Sequence, residues 1–225
     1  MVNFCVVVPV YNEADHLQSL IGSLNNHLSC GQIIIVDDGS SDGTPRILKK
    51  SPVISVIQDK NHGKGYALRK GFNKALEIGF DWILTMDGDM QHNPDDIASF
   101  TTRAQEGGCD IILGSRMADI STMPYQRIIS NTLASLLITL RTGQKIKDSQ
   151  CGYRMIHRRV LENISLNNDG YMMESELLIK AGLKDFIIDS VPVQTIYNES
   201  KSAIKPVKDS LLFLIVILSS FFWSK

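Results

Sequence analysis

The sequence predicts an α/β fold, a mostly parallel central sheet flanked by helices, and three observations predict it. Short β-rich apolar runs alternate with helical apolar stripes along most of the chain. Polar groups gather where the expected strands end. No internal repeat or low-complexity linker divides the chain, so one domain carries the fold.

Phe4 to Val8 reads as a central strand, ended by Pro9. Ala14 to Leu28 follows with Leu17, Leu20, Ile21, Leu24 and Leu28 on one helical stripe. Ile33 to Val36 is a second buried strand, closed by the polar run Asp37 to Thr44, and Val53 to Ile57 is a third. Lys64 to Ile78 places Ala67, Leu68, Phe72, Ala75 and Leu76 on one helical face. Trp82 to Met86 is a short apolar run that stops at two carboxylates, Asp87 and Asp89. Pro94 begins the next helix near its first turn. Ile111 to Leu113 is a further strand, ending in Gly114-Ser115-Arg116. Beyond Met117 the pattern changes. Tyr125 to Leu140 is a long apolar helical stretch containing Arg127 and Asn131. The run Asp148 to Arg154, a helix around Glu174 to Leu183 and a final strand near Ile187 to Val193 complete an acceptor-side extension of the same sheet.

Bulk composition narrows the function. The 225 residues are 44% hydrophobic and 21% charged with a formal net charge of -1, enough for a full core and unsuited to nucleic acid as the main partner. Cys5, Cys30, Cys109 and Cys151 are too widely spaced for a metal knuckle and read as reduced thiols of a cytoplasmic protein. The first residues lack the basic leader of a signal peptide. Leu211 to Trp223 is almost wholly apolar, yet short of the ~20 residues a spanning helix needs. It reads as a helix in the membrane interface, a buried core helix or the start of a longer anchor. The expected division is therefore 1–208 for the main domain and 209–225 for the apolar helix.

The chemistry centres on Asp87-Gly88-Asp89. In extended chain, residues two apart point the same way, so both carboxylates can face one spot past the strand end. Like charges so placed repel, and a divalent cation with oxygen ligands relieves them. Gln91 would add a neutral oxygen, and Gly88 would let the backbone approach the ligand. Asp-Gly-Asp is also an ordinary turn. An EF-hand is excluded, because its sixth position is His92 and its twelfth Ala98. Support comes from the other strand ends: Tyr11, Asn12 and Glu13; Asp37 and Asp38; Asn61 to Gly65; and Arg116. In a parallel sheet these ends form one cleft. Gly63-Lys64-Gly65 is neither a Walker loop nor a Rossmann fingerprint, but its backbone N–H groups can face a sugar or phosphate.

Pro9-Val10-Tyr11-Asn12-Glu13, the Asp37 to Thr44 run, Asp87-Gly88-Asp89 and Gly114-Ser115-Arg116, in that order, resemble a family 2 glycosyltransferase of the GT-A fold. Arg127 with Ser130 and Asn131, Asp148 to Arg154, Glu174 and Glu176, and Glu199-Ser200-Lys201 resemble its dolichol-phosphate mannosyltransferase and polyprenyl-phosphate branch. The resemblance implies that Pro9, Tyr11, Glu13 and Asp38 hold the nucleoside of a nucleotide-diphosphate sugar donor. Asp87, Asp89 and Gln91 would bind Mg²⁺ or Mn²⁺, while Gly88 and Lys64 line the donor site and Lys201 closes over the diphosphate. Arg116, Arg127 and Asn131 would hold a polyprenyl phosphate acceptor. A hydroxyl acceptor would instead need a base, Glu174 or Glu176. Thr195 stands where that branch usually has arginine. The expected activity is inverting sugar transfer to a polyprenyl phosphate by a cytoplasmic enzyme peripheral to the inner membrane face, its terminal helix on the membrane surface. The alternatives are transfer to a sugar hydroxyl of an envelope polysaccharide or glycolipid, and a non-catalytic binding module.

Overall fold

The computed structural model describes residues 2–118, 120, 123–194, 196 and 206–223. Lys201, Glu199, Ser200 and Thr195 lie outside these residues. Seven strands form one sheet: β1 Phe4–Val10, β2 Ile33–Asp37, β3 Ile54–Ile57, β4 Trp82–Thr85, β5 Ile111–Ser115, β6 Arg154–His157 and β7 Ile188–Pro192. Their spatial order is β3-β2-β1-β4-β6-β5-β7. Pairing is parallel except at β6, which runs antiparallel to both β4 and β5. The sheet is thus mixed and largely parallel, as expected of the fold, with one reversed strand that the apolar pattern did not announce.

Eight α-helices lie among the described residues: α1 Ala14–Asn25, α2 Thr44–Lys50, α3 Lys64–Ile78, α4 Ile97–Glu106, α5 Tyr125–Thr142, α6 Arg158–Asn163, α7 Met172–Leu183 and α8 Pro206–Ser220. The short α2 and α6 escape a periodicity reading because neither runs two full turns. Alternation along each strand sorts the core into two layers. Val7, Ile34 and Val36 pack with Leu68, Phe72, Leu177 and Leu178 on one face of the sheet. Val6, Val8, Ile33 and Ile35 pack with Leu17, Leu20, Leu24 and Phe100 on the other.

Helix α8 joins the first layer. Val216 and Ile217 are buried in it, and Phe213 and Trp223 pack against it. Arg141 of α5 donates to the Ser220 hydroxyl (2.9 Å) and carbonyl (2.6 Å), while Lys180 of α7 lies over the Trp223 ring. Leu211, Ile215 and Leu218 remain exposed on its outer face, and Phe222 is exposed just past its end. No helix among the described residues is long and apolar enough to cross a membrane.

Candidate active site

Register brings the sequence-distant polar segments together. Val10 pairs with Asp37, and Val7 with Thr85, so β1, β2 and β4 end along one edge. The loops that follow them carry Tyr11 to Glu13, Asp37 to Asp42, and Asp87 to Asp89. Residues Pro9 and Val10 close β1 here, and Tyr11 is exposed at the edge.

The first two loops are tied into one unit. Asn12 takes φ 57°, a left-handed conformation that asparagine tolerates. Its N–H donates to the Ser40 hydroxyl (2.8 Å), and its side-chain oxygen accepts from the Ser41 N–H (2.9 Å). The Glu13 N–H donates to Thr44 Oγ1 (3.0 Å). Asp37 accepts from the Ser40 N–H (3.1 Å) and hydroxyl (2.5 Å) through one oxygen, while its other oxygen is buried without a hydrogen-bond partner. The Asp38 carboxylate accepts from the backbone N–H groups of His62 (3.0 Å) and Gly63 (2.7 Å). It therefore fixes the Asn61 to Gly65 loop as well as facing the cleft. Burial raises the Glu13 carboxyl above its ordinary range; nearby His16 opposes this, and the charge of Asp89 adds to it.

The acidic pair sits where the loops meet. Asp87 Oδ1 receives Lys64 Nζ at 2.7 Å, and the same ammonium lies 3.3 Å from Glu174. Burial by itself would raise Asp87, but the Lys64 charge outweighs it, aided by His92, and holds the carboxyl at about 2. Asp89 accepts from the Gln91 N–H (3.1 Å) and has no ion-pair partner among the described residues. The lack of a Cβ at Gly88 serves packing, since one would lie 2.9 Å from Val10 Cγ1. Gly152 is a similar close approach: its added Cβ would meet Asp87 Oδ2 at 2.7 Å.

These residues fit a divalent cation. No three His, Cys, Asp or Glu groups converge among the described residues. Mg²⁺ is usually bound by one or two carboxylates and completed by substrate phosphates and water, and Asp87 and Asp89 supply hard oxygens of that kind. Sequence reasoning missed His92. Its ring is buried and stacked on Tyr153 (4.8 Å between centroids), and its Nδ1 accepts the Asp87 N–H (3.2 Å). It therefore holds the Asp-Gly-Asp turn in place. The only signal was its position directly after Gln91.

The expected acceptor residues take other partners. Arg116 forms a two-pronged ion pair with fully buried Asp148 (2.8 and 2.9 Å). Asn131 is buried and donates to the same carboxylate (2.9 Å). Arg127 is exposed on the first turn of α5. Glu176 accepts from Asn167 N (3.1 Å), Asn168 N (2.9 Å), Asn168 Nδ2 (2.9 Å) and Lys180 Nζ (2.5 Å), which commits it to shaping the 167–168 loop. Burial pushes the Glu176 carboxyl up, but Lys180 and the asparagine donors bring it below its usual range. Arg154 is buried and donates to the carbonyls of Cys151 (2.7 Å), Glu174 (2.8 Å) and Ser149 (2.7 Å), locking the loop that carries Gly152.

Residues 5–165 match the model of glycosyl transferase family 2. The chain belongs to that family. It is 33% identical over 220 residues to the UDP-N-acetylglucosamine–dolichyl-phosphate N-acetylglucosaminyltransferase of Methanococcus voltae, covering 88% of this chain and 87% of that one. It superposes on glucosyl-3-phosphoglycerate synthase of Mycobacterium tuberculosis bound to uridine diphosphate with a TM-score of 0.73 at 20% identity, covering 99% of this chain and 81% of that one. The same synthase with Mn²⁺, UDP-glucose and phosphoglyceric acid superposes with a TM-score of 0.73 at 19% identity over 99% of this chain and 81% of that one.

The GT-A fold and the assignment as a sugar-transferring enzyme hold. The narrower placement in the polyprenyl-phosphate branch, with a polyprenyl phosphate and a membrane surface as partners, is corrected. The synthase that shares the fold over nearly the whole chain is solved with phosphoglyceric acid, a small molecule, beside UDP-glucose. In this chain Arg116 and Asn131 are both held by the Asp148 carboxylate.

Proposed function

We propose that the protein transfers a sugar from a uridine diphosphate sugar to a hydroxyl of a water-soluble acceptor, with Mg²⁺ or Mn²⁺ at the acidic pair. The observation that carries this reading is the meeting of Asp87 and Asp89 with the two nucleoside-side loops at one edge of the sheet. Uridine is supported from two directions: the Methanococcus voltae relative is named for a UDP-sugar, and the synthase structures hold UDP or UDP-glucose, some with Mn²⁺.

In this reading Tyr11 lies beside the base, Asp38 accepts a base N–H with the lone pairs its backbone donors leave, and Pro9 and Glu13 complete the nucleoside wall. Asp87 and Asp89, with Gln91 beside them, hold the cation. When bound, the cation supplies charge neutralisation for the departing diphosphate. Lys64, at the first turn of α3, adds a positive side chain and the helix N-terminus next to the same diphosphate. Four free cysteines, three of them buried, support a reducing cytoplasmic setting.

The test is incubation with radiolabelled UDP-glucose and UDP-N-acetylglucosamine, Mn²⁺ and pooled small phosphorylated hydroxy acids and sugars, followed by solvent partition. Label is expected in a new water-soluble product, abolished by Asp89→Ala. Label appearing only in an organic-extractable lipid fraction would refute the acceptor, and undiminished transfer by Asp89→Ala would refute the metal role.

A further inference from the structure

We propose that Lys64 is the resident counter-ion of Asp87 and that Glu174 is the berth that takes its ammonium when a divalent cation enters. The inference rests on the metal-dependent reading above. It assigns Glu174 as a positioning residue and makes cation binding depend on the donor diphosphate.

Two carboxylates share one ammonium in the free enzyme: Lys64 Nζ lies 2.7 Å from Asp87 and 3.3 Å from Glu174. Its side chain is only 18% exposed, so its charge is weakly screened. A divalent ion on Asp87 would meet that ammonium as a like charge, and the two cannot share the carboxylate oxygen.

The backbone beneath Lys64 is fixed. An added Cβ at Gly63 would lie 2.5 Å from the Asp169 carbonyl oxygen, and one at Gly65 would lie 2.6 Å from that of Asn168. The Tyr66 N–H donates to the Asp169 carbonyl (3.1 Å), and Arg69 holds the Asn168 carbonyl (2.6 Å) and the Asp169 carboxylate. Cation entry therefore moves only the Lys64 side chain. The Glu174 carboxylate is already within reach, and the Tyr171 ring lies 5.8 Å from the ammonium on the same side. Both belong to the start of α7, so the swing transfers the ammonium from the metal strand to a neighbouring helix without leaving the cleft. With the donor present, its diphosphate supplies the extra negative charge that keeps ammonium and cation together. Without it Asp87 is already paired with the ammonium, which a metal ion alone has to displace.

Mn²⁺ binding, read by the paramagnetic resonance of free Mn²⁺ and by calorimetry, is measured with and without UDP on the wild type, Lys64→Met, Lys64→Gln and Glu174→Gln. Circular dichroism checks the fold of each. Removing the competing cation is expected to tighten Mn²⁺ binding without UDP by about tenfold in Lys64→Met or Lys64→Gln, and to shrink the enhancement UDP gives. Glu174→Gln is expected to move the other way, weakening Mn²⁺ binding several-fold because the displaced ammonium loses its berth. Unchanged or weaker Mn²⁺ affinity in folded Lys64 variants overturns the counter-ion role. Tighter binding in Glu174→Gln overturns the berth. Wild-type protein that binds no Mn²⁺ even with UDP overturns the underlying metal-dependent reading as well, which separates the two failures.

Discussion

Removing the Arg116 guanidinium, as in Arg116→Met, should cost far more stability than a surface ion pair is worth. Its partner Asp148 is fully buried. That carboxylate accepts from Arg116 Nε, Nη2 and backbone N–H, from Asn131 Nδ2 and from the Gln150 N–H. Burial raises the Asp148 carboxyl, and the hydrogen bonds and charge of Arg116 more than reverse this, so the net direction is down. Without the guanidinium a buried charge keeps its neutral donors and loses its compensating cation, which costs about 3–5 kcal/mol. Adding Asp148→Asn to Arg116→Met removes the orphaned charge and should restore part of that loss. Urea denaturation of the two single variants and the double variant reads all three terms. A loss below about 1 kcal/mol for Arg116→Met, with no coupling in the cycle, would show the pair to be solvent-screened. Asp148 would then hold Arg116 far less firmly than its buried geometry implies.

Other consequences are accessible to simple measurements. Gly152→Ala should fold normally yet push the Asp87 carboxylate aside, lowering metal-dependent transfer by about 10- to 100-fold in steady-state rates, because a ~1 Å misplacement near the reacting groups has that effect. Asp87, Asp148 and Glu176 all titrate below their ordinary range when folded. Their contribution to stability is therefore complete above the unfolded carboxylate values near ~4 and fades as pH falls toward about 2, the Asp87 value, which a denaturation series across that window tests. Burial pushes the Cys5 and Cys151 thiols up to about 12, so a thiol reagent at neutral pH should label half-exposed Cys30 in native protein and reach Cys5 and Cys151 only after unfolding. Equal native labelling of Cys151 would show that the loop beside Asp87 opens freely.

Much of the fold can be read from the sequence because its central strands are uninterrupted apolar runs. Cys5 to Val8, Ile33 to Val36 and Ile111 to Leu113 are buried on both faces of the sheet. Strand β6 is different. It has four residues, begins with Arg154 and ends with His157, so nothing in its pattern distinguishes it from the polar run before it. Only the structure shows that the Arg154 guanidinium is satisfied by three backbone carbonyls and can head a buried strand. The placement of the strand-end loops is legible for a topological reason: parallel β1, β2 and β4 end along one edge, so the loops carrying Asp38, Asp87 and Asp89 follow neighbouring strands. The acceptor side lacks that rule. Asn131 and Glu176 lie on helices, where spacing shows which face a residue occupies but not whether its polar atoms meet the protein or a ligand. Both are satisfied internally. His92 was overlooked for the converse reason, since its role lies in the backbone N–H it receives from Asp87 rather than in any spacing of ligand-type residues.

The central claim is that Asp87 and Asp89 grip a divalent ion through which the protein holds the diphosphate of a uridine nucleotide. Calorimetric titration of UDP into wild-type and Asp89→Asn protein, each with Mn²⁺ and with a chelator, tests it most directly. UDP should bind the wild type at least about tenfold more tightly with Mn²⁺ than with chelator, and Asp89→Asn should abolish that difference. Equal UDP affinity in all four titrations would contradict the account.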